Sequence, residues 1–486
     1  MKIKDWIKSW IPTRVEFRTE DLGGQQPYDS VPAITTCDSF TGPETADEHI
    51  RYELQQKSCD NDCKAPYYAK ALNLHSSMVV GAGPKVIITD ERITPDDRAH
   101  LKKRWYQWCK RSGFVRTLRA YRRAGMKNGE GLGYFVTAER QADPVKLKFV
   151  DVSSTRLQTP KELIGDSSVK DGIEYGDDGQ PSKFYIHMGG EEIKEHQASK
   201  VAYWFCCILE EQKRGVPELH TTLDWFPKIT NFQNAVVSSM ELFARMPVAM
   251  EVDASWISDD DRESGSCPSY KDKPFKMPSN GLMVPTLPKG AKLNKLQGEA
   301  PGTDSKDSLV TIVTMAVSPI MMPAILIMGD AGDASFSAAN IDWEPYLCKV
   351  YEDRVELEPT CSMAFEQWLI EGSKIRGYFG PSVVAAIRED LKNGKLDIDH
   401  EWKWGRVKCH IDPNKEASAR AKDLESGAMT LAEVYESRNE DFEERVEQAA
   451  KAYRVSEDEY RAMLWSKLTT GTAPPPIKKK GISNAK

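Results

Sequence analysis

Glycine-rich and acidic segments are the places where this sequence could hold a phosphate or a metal ion. The run Gly129–Gly133 (Gly-Glu-Gly-Leu-Gly) resembles a phosphate-binding loop, but the Lys-Ser/Thr ending of a P-loop is missing. It also precedes a predicted strand, whereas a dinucleotide-binding fingerprint follows one. Asp330 and Asp333 suggest calcium, yet no carboxylate lies at the spacing of an EF-hand loop. Tight turns therefore explain both segments better than ligand binding does.

Nucleophiles and metal ligands are equally isolated. Cys59 and Cys63 are separated by three residues, but a zinc site needs a second pair or spaced histidines, so free thiols in a reducing compartment are expected. Neither G-x-S-x-G nor H-E-x-x-H occurs. Glu191 and Glu192 are adjacent, so in a strand their side chains would face opposite sides. The sequence predicts no catalytic residue, no metal and no cofactor.

A basic run could bind nucleic acid. From Lys102 to Lys127 there are ten Lys or Arg residues and no acidic residue, and aromatic residues alternate with them: Trp105, Tyr106, Trp108, Phe114 and Tyr121. Taken alone, this pattern is typical of a nucleic-acid-binding patch, and a nucleic-acid-processing enzyme that grips its substrate with residues 102–127 is the alternative function. The favoured interpretation is a solvated helix face with subunit contacts, with the aromatic side chains in the core.

Length and composition limit the classes further. At 486 residues the chain exceeds the ~250–300 residues at which one hydrophobic core stops growing, so several sub-domains are expected. The net charge of -7 argues against a simple nucleic-acid binder. No apolar run approaches the ~20 residues that span a bilayer. Met1–Pro12 is amphipathic without a signal-peptide core. It could touch a membrane surface, but we favour a docking helix or loose arm of a protein that stays in the cytoplasm.

The first half predicts an α+β structure. Ordered structure is expected from Ala65, where Pro66 suits a first helical turn and Gly81 ends the helix. A second helix is expected from about Pro95 through Trp108. An antiparallel sheet follows, because β-branched and aromatic residues, several of them alternating, fill these segments: Tyr134–Ala138, Lys146–Val152, Ile173–Tyr175, Lys183–Met188 and Val201–Ile208.

The middle of the chain predicts two helices around a turn-rich excursion. A mostly helical run begins at residue 214, is interrupted at Pro227, and resumes as Lys228–Arg245, a rod of about 27 Å. Its apolar stripe consists of Ile229, Phe232, Val236, Met240 and Phe243. Residues 247–303 are rich in turn residues, with an extended piece at Gly281–Pro285. A second helix is expected at Ser305–Val317, and helices dominate from Ala338 onward.

Six segments in order resemble the lambda-like family of phage portal proteins. They are Ala65–Gly83; Trp105–Trp108 with Lys127–Glu130; Asp171–Gly179; Arg214–Leu219, which opens the family's first stem helix; Ser335–Ala339, similar to the family's N-Y-S-S-A stretch; and Ile411–Ala417 with Leu424–Thr430. The Asn and Arg that usually flank the N-Y-S-S-A stretch are replaced by Ala334 and Asn340. The resemblance covers roughly residues 50–455.

The resemblance implies an α+β portal fold with an α/β wing, a long helical stem, a small clip and a helical crown. The expected parts are a flexible arm (1–45), wing (46–215), first stem helix region (216–246), clip (247–304), second stem helix region (305–328), tunnel loop (329–337), wing and tunnel helices (338–400), crown (401–470) and a disordered tail (471–486). The stem stripe is expected to pack at subunit contacts or against the second stem helix. Channel residues would be Gly329, Asp330, Gly332, Asp333 and Ser335.

The same resemblance implies a function and partners. It describes a dodecameric ring at one capsid vertex of the virion, formed in the host cytoplasm, through which DNA is packaged by the terminase and later ejected. Expected partners are further copies of the chain, the terminase large subunit, the major capsid protein or scaffold, and head-tail adaptor proteins. Double-stranded DNA would be held weakly, and no membrane partner is expected. Another capsid or head-tail adaptor protein is disfavoured by the length and by the ordered motifs.

Overall fold

The structure is a computed structural model that describes residues 48–166, 168–189, 192–207, 212–245, 248–251, 292–295, 303–329, 336–407, 413–437 and 442–470. Contacts between Cα atoms divide the chain into two compact units. The second unit is Asp224–Ala316, and the first unit comprises the chain on both sides of it. Helices and antiparallel strands mix throughout the first unit, which confirms the predicted α+β class.

Four helices begin the first unit: α1 (Glu48–Lys64), α2 (Pro66–Val80), α3 (Pro95–Ser112) and α4 (Phe114–Asn128). Pro66 in the first turn and Gly81 at the end of α2 confirm the boundaries predicted from the sequence. At the start of α3 the Thr94 side chain accepts a hydrogen bond from the backbone N–H of Asp97, and Gly113 ends that helix in a left-handed conformation. Capping residues at the helix ends therefore set the boundaries of α2 and α3.

Helix α1 corrects the expectation that order begins at Ala65. It has no apolar stripe, and its polar side chains make the contacts instead. Gln55 and Ser58 donate to the main-chain carbonyls of Asn128 (2.9 Å) and Lys127 (2.5 Å) at the end of α4, and Asn61 donates to that of Leu223 (2.8 Å). The last carbonyls of a helix lack partners within it, so α1 satisfies groups that would otherwise be costly to bury.

The strands form two main antiparallel sheets where a single sheet was expected. Strands β1 to β8 are Lys85–Ile88, Glu130–Thr137, Leu147–Val152, Val169–Lys170, Ile173–Tyr175, Pro181–Gly189, Glu192–Gln197 and Val201–Phe205. One sheet has the order β3-β2-β8, and the other has the order β4-β5-β6-β7. Strand β7 was not predicted, because charged and polar residues fill it and most of its side chains are exposed. An apolar cluster that includes Leu132, Ile173 and Ile186 packs across both sheets.

The remaining described elements of the first unit are mostly helical. They are α7 (Ala324–Met328), α8 (Phe336–Ser373), α9 (Pro381–Lys392), β11 (His400–Lys403), α10 (Pro413–Ser426), α11 (Leu431–Ser437), α12 (Phe442–Tyr453) and α13 (Glu457–Thr470). Strand β11 pairs with β1. Trp105 lies at the centre of the core, with its ring centroid 5.2 Å from that of Phe365 and 5.3 Å from that of Trp368. Trp105 thus packs against the long helix α8. Trp108, Phe114 and Tyr121 are also buried, whereas Tyr106 is half-exposed.

The second unit contains α5 (Trp225–Arg245), β9 (Val248–Glu251), β10 (Lys292–Lys295) and most of α6 (Thr303–Val317). Strands β9 and β10 pair antiparallel, Val248 opposite Lys295, so the two ends of the predicted excursion lie side by side. Pro227 does not interrupt α5, because it stands in the first turn, where its missing N–H would have no helical partner. The expected extended piece at Gly281–Pro285 lies outside the described residues.

Among the residues that the structure describes, no helix is long and apolar enough to cross a bilayer.

Candidate functional site

The predicted stem stripe lies along α5 and becomes more exposed toward the end of the helix. Ile229 is buried, Phe232 and Val236 are half-buried, and Met240 is 47% exposed. The side chain of Phe243 lies outside the described residues. An apolar stripe that one chain leaves progressively exposed is suited to contact with a further protein surface.

Of the predicted channel residues, only Gly329 lies within the described part of the chain. It ends α7 in a left-handed conformation (φ 75°), and its N–H donates to the carbonyl of Ile325. The ammonium of Lys70 on α2 donates to the carbonyl of Ile327 at 2.5 Å. The entry to the predicted loop is therefore fixed to α2, while Asp330, Gly332, Asp333 and Ser335 lie outside the described residues.

A buried ionic junction, which the sequence analysis did not predict, joins the matched segments Lys127–Glu130 and Arg214–Leu219. Arg214 holds Glu130 through two parallel hydrogen bonds, of 2.5 Å from Nε and 2.9 Å from Nη2. Glu130 also accepts from the backbone N–H of Gly215 and from the hydroxyl of Tyr203, both at 2.9 Å. Burial raises the pKa of the Glu130 carboxyl, but the charge and hydrogen bonds of Arg214 outweigh burial and lower it. Glu130 is therefore a buried carboxylate anion.

The second half of the junction centres on Arg122 of α4. Its guanidinium donates to Glu218 (2.6 and 3.2 Å) and to Asp353 (2.7 Å) on α8. Asp353 also binds His75 Nε2 at 2.6 Å and the Lys349 ammonium at 2.8 Å. Burial raises the pKa of Asp353, but Arg122 and then His75 outweigh it and hold that pKa well below its usual range. Two cations and two carboxylates thus balance, and the His75 ring completes the cluster as a neutral donor.

Two glycines let the backbones of the two segments touch. A Cβ on Gly129 would lie 2.1 Å from the carbonyl carbon of Val216, and one on Gly215 would lie 2.0 Å from the Gly129 oxygen. Gly129 also has φ 81° at the end of α4. The glycine-rich run therefore serves close packing, and no phosphate-binding loop forms. The segment Arg214–Leu219 consequently does not open a helix as expected. It is a braced loop that leads to α5.

The junction fixes the segment that precedes the boundary between the two units. Arg214–Glu218 is held on α4, α8 and β2, and the chain reaches the boundary between the two units at Leu223 and Asp224. A network of buried charges fixes the conformation of this segment, because any other packing would leave a buried charge without a partner. The arrangement holds the segment Arg214–Glu218 in place. It contains no nucleophile beside a base, and the described residues contain no cluster able to hold a metal ion.

Most of the basic run is used within the first unit. Arg111 pairs with Asp143 (3.1 Å), Arg119 donates to the Gly81 carbonyl (2.7 Å), Arg122 belongs to the junction, and Arg123 pairs with Asp62 (2.5 Å). Of the remaining bases of the run, Lys103, Lys110 and Arg116 are exposed. This distribution favours a helix face with structural contacts over a continuous DNA-gripping patch.

Stability should fall as the pH is lowered because of His75. Burial, and then the charge of Arg122, lower its pKa although Asp353 opposes this. Below about pH 6.5 an unfolded chain protonates this histidine while the folded chain resists, so each pH unit costs up to ~1.4 kcal/mol. Asp353, with its lowered pKa, contributes its loss only below pH ~4. We expect the urea midpoint to drop between pH 7 and pH 5, and to drop less in His75→Gln, which keeps a donor for Asp353. If the urea midpoint falls equally steeply with pH in both proteins, His75 is not neutral in the folded chain. His196 and His220 contribute equally to both proteins, because burial lowers their pKa values too.

Comparison with known proteins identifies one family. The sequence matches the family model for phage portal protein, lambda family, over residues 38–343, well over half of the chain. No curated protein matches significantly. Among solved structures, a chain from the neck of an empty gene transfer agent particle computed with C6 symmetry has TM-score 0.44 and 13% identity, covering 81% of this chain and 97% of its own. One from the neck of a native particle computed with C12 symmetry has TM-score 0.41 and 12% identity, covering 79% and 92%.

Proposed function

Because the chain belongs to the lambda family of phage portal proteins, we propose that it forms a ring, of twelve copies as in the family, at one vertex of a virion capsid. The family is structural rather than enzymatic. The family match over residues 38–343 carries the proposal. In this role the chain would assemble in the host cytoplasm and admit DNA driven by the terminase. It would later release that DNA and connect head to tail.

The described geometry supports this proposal in two ways. Helices α5 and α6 flank an excursion whose ends pair as β9 and β10, which suits a stem with a clip between its two helices. The buried junction fixes the loop Arg214–Glu218 within the first unit, which suits a segment that must be the same in every copy of a ring. We therefore assign wing, stem, clip and crown to the ranges given above.

The proposed partners follow from position. The terminase large subunit supplies ATP hydrolysis, which fits a sequence without a P-loop. The major capsid protein or scaffold would surround the ring, and head-tail adaptor proteins would bind after packaging. Double-stranded DNA would pass with weak contacts, because affinity rises steeply with every phosphate that a cation neutralises. A chain with net charge -7 is suited to a channel that must not retain DNA.

Lysines in the tunnel loop should make the channel retain DNA. We propose that residues 329–337 face the channel and that Asp330 and Asp333 keep phosphates from binding. Replacing both with lysine should leave rings intact and strengthen DNA binding at low salt. The slope of log affinity against log salt should steepen by about 0.9 for each additional phosphate that a lysine neutralises. Ring yield, packaged DNA and salt-dependent DNA binding are the measurements.

A matched control carries the same charge change elsewhere. Glu162 and Asp177 are exposed in the first unit. Their replacement by lysine should affect packaging and the salt dependence of DNA binding less than the replacement of Asp330 and Asp333 does. If the Asp330→Lys, Asp333→Lys ring packages normally and binds DNA no better than this control, residues 329–337 do not face the channel.

The enzyme alternative makes a different prediction. A nucleic-acid-processing enzyme with a gripping helix at 102–127 should show nuclease or ATPase activity as a small particle. The portal proposal expects neither activity from the purified chain. Loss of a measured activity in Lys110→Glu, with the fold unchanged, would favour the enzyme.

A further inference from the structure

One face of the long helix α8 is apolar and exposed. Ile341 is 71% exposed and Val355 is 64% exposed, and the exposed Cys348 and Tyr351 lie between them at helical spacing. The opposite face is buried, with Asp353 in the ionic junction. Side chains two residues apart on a helix point about 200° apart, so Val355 faces away from the core that Asp353 enters. This face of α8 has apolar side chains that the described residues of the first unit leave exposed.

The same face is negatively charged. Glu344 and Glu352 are exposed on it. The two basic residues in this stretch are turned elsewhere, because Lys349 pairs with Asp353 at 2.8 Å and Arg354 is buried with its Nε donating to the Val79 carbonyl. We call this surface the acidic face. Its exposed residues are Ile341, Glu344, Cys348, Tyr351, Glu352 and Val355. A partner for it should be apolar at its centre and basic around it.

Such a surface exists on the same chain, at α3 and α4. Lys103 and Lys110 are exposed one heptad apart on α3, and Arg116 is exposed on α4. Beside them opens a cavity of about 100 Å³, with room for an aliphatic or aromatic side chain. Its lining includes Gly83, Pro84, Tyr106, Cys109 and Val115. We call this surface, with its three exposed cations, the basic face.

The two faces cannot satisfy each other within one chain. Trp105 and Trp108 form the buried side of α3, and the Trp105 ring packs on Phe365 and Trp368 of α8. Lys103 and Lys110 each lie two residues from one of these tryptophans, about 200° around the helix. The basic face of α3 therefore points away from α8 of its own chain, so α8 could pair with this face only in a second copy.

We propose that the acidic face of one copy docks on the basic face of a second copy, with an apolar side chain of the acidic face entering the cavity. The proposal rests on the proposed ring and names the surfaces that close it. Because the two faces are different, the contact is head-to-tail, and contacts of that kind generate a ring when the rotation closes. It also gives Lys110 and Arg116 a role that requires no DNA.

Charge reversal tests the pairing of the two faces. The variant Lys110→Glu, Arg116→Glu and the variant Glu344→Lys, Glu352→Lys should each reduce the ring fraction at least ~10-fold, because like charges would then oppose each other. The variant that combines all four substitutions restores opposite charges and should recover rings. The control Lys148→Glu, Lys161→Glu changes exposed lysines elsewhere in the first unit and should assemble normally. Mass measurement and circular dichroism give ring fraction and fold.

Cross-linking decides the point if a reversed variant fails to fold. With Lys110→Cys, a short bismaleimide should join that position to the native Cys348 of a neighbour and give a ladder of multimers that Cys348→Ser abolishes. If the protein without any charge reversal forms no ring, the proposed function is refuted. Rings that persist in both reversed variants, or a ladder that does not depend on Cys348, would overturn the pairing while leaving the ring proposal standing.

Discussion

Replacing Arg122 with methionine is expected to destabilise the first unit by about 3–5 kcal/mol, the cost of removing one partner from a buried ion pair. Arg122 neutralises two carboxylates at once, those of Glu218 and Asp353. Lys349 still contacts Asp353 in the variant, but Glu218 loses both of its hydrogen bonds from Arg122. The midpoint of urea unfolding at pH 7 measures the effect.

Two companion variants separate the junction from helix propensity. Arg388→Met makes the same substitution on the exposed side of α9 and should change stability by no more than ~0.5 kcal/mol. Adding Glu218→Gln and Asp353→Asn to Arg122→Met removes the stranded charges and should recover part of the loss. If Arg122→Met unfolds at the same urea concentration as Arg388→Met, the junction does not stabilise the fold as argued.

Val236→Asp is expected to abolish ring assembly. The stripe on α5 is half-buried at Val236 and exposed at Met240 in one chain, and we propose that neighbours or the second stem helix cover it. A carboxylate placed there would be buried without a partner, at a cost of several kcal/mol in each copy. Monomers or aggregates should replace rings, as mass measurement would detect.

Ser238→Asp is the matched control for that substitution. Ser238 is exposed on α5, and it lies two residues from Val236, about 200° around the helix. The control adds the same charge to the same helix and should still give rings. Normal rings from Val236→Asp would place the stripe outside the assembly contacts.

Local signals predicted the elements whose ends are set by local chemistry. Pro66 with Gly81 predicted α2, and Pro95 predicted the start of α3. The period-two alternation of apolar residues predicted β3, which pairs with β2 in the structure. These elements depend on contacts within a few residues, which a single sequence displays.

Long-range contacts explain what the sequence did not predict. Helix α1 packs through polar side chains that bind the end of α4, so no apolar stripe marks it. The loop that holds Arg214 was predicted as helix, and that prediction was wrong. Arg214 donates its hydrogen bonds to Glu130, 84 residues earlier, which a local pattern does not display. Pro345 and Pro359 lie inside α8, which nevertheless continues over 38 residues. Tertiary packing outweighs the local preference of proline at these positions.

The candidate site shows the same division. The stem stripe was visible as a periodic pattern, whereas the junction pairs Arg122 with Asp353 across 231 residues. A signal was nevertheless present: the motifs Lys127–Glu130 and Arg214–Leu219 both combine a glycine with a charged residue. Two such motifs are compatible with close backbone contact beside a buried ion pair, although only the structure shows that they meet.

The mass and axial image of the purified chain test the central claim most directly. The portal proposal predicts a ring of about twelve copies, ~12 × 54.7 kDa, with an open centre in electron micrographs viewed down the axis. Nuclease and ATPase assays on the same sample should be negative. A compact monomer or small oligomer without a central opening, and with activity on nucleic acid, would contradict the proposal and favour the enzyme alternative.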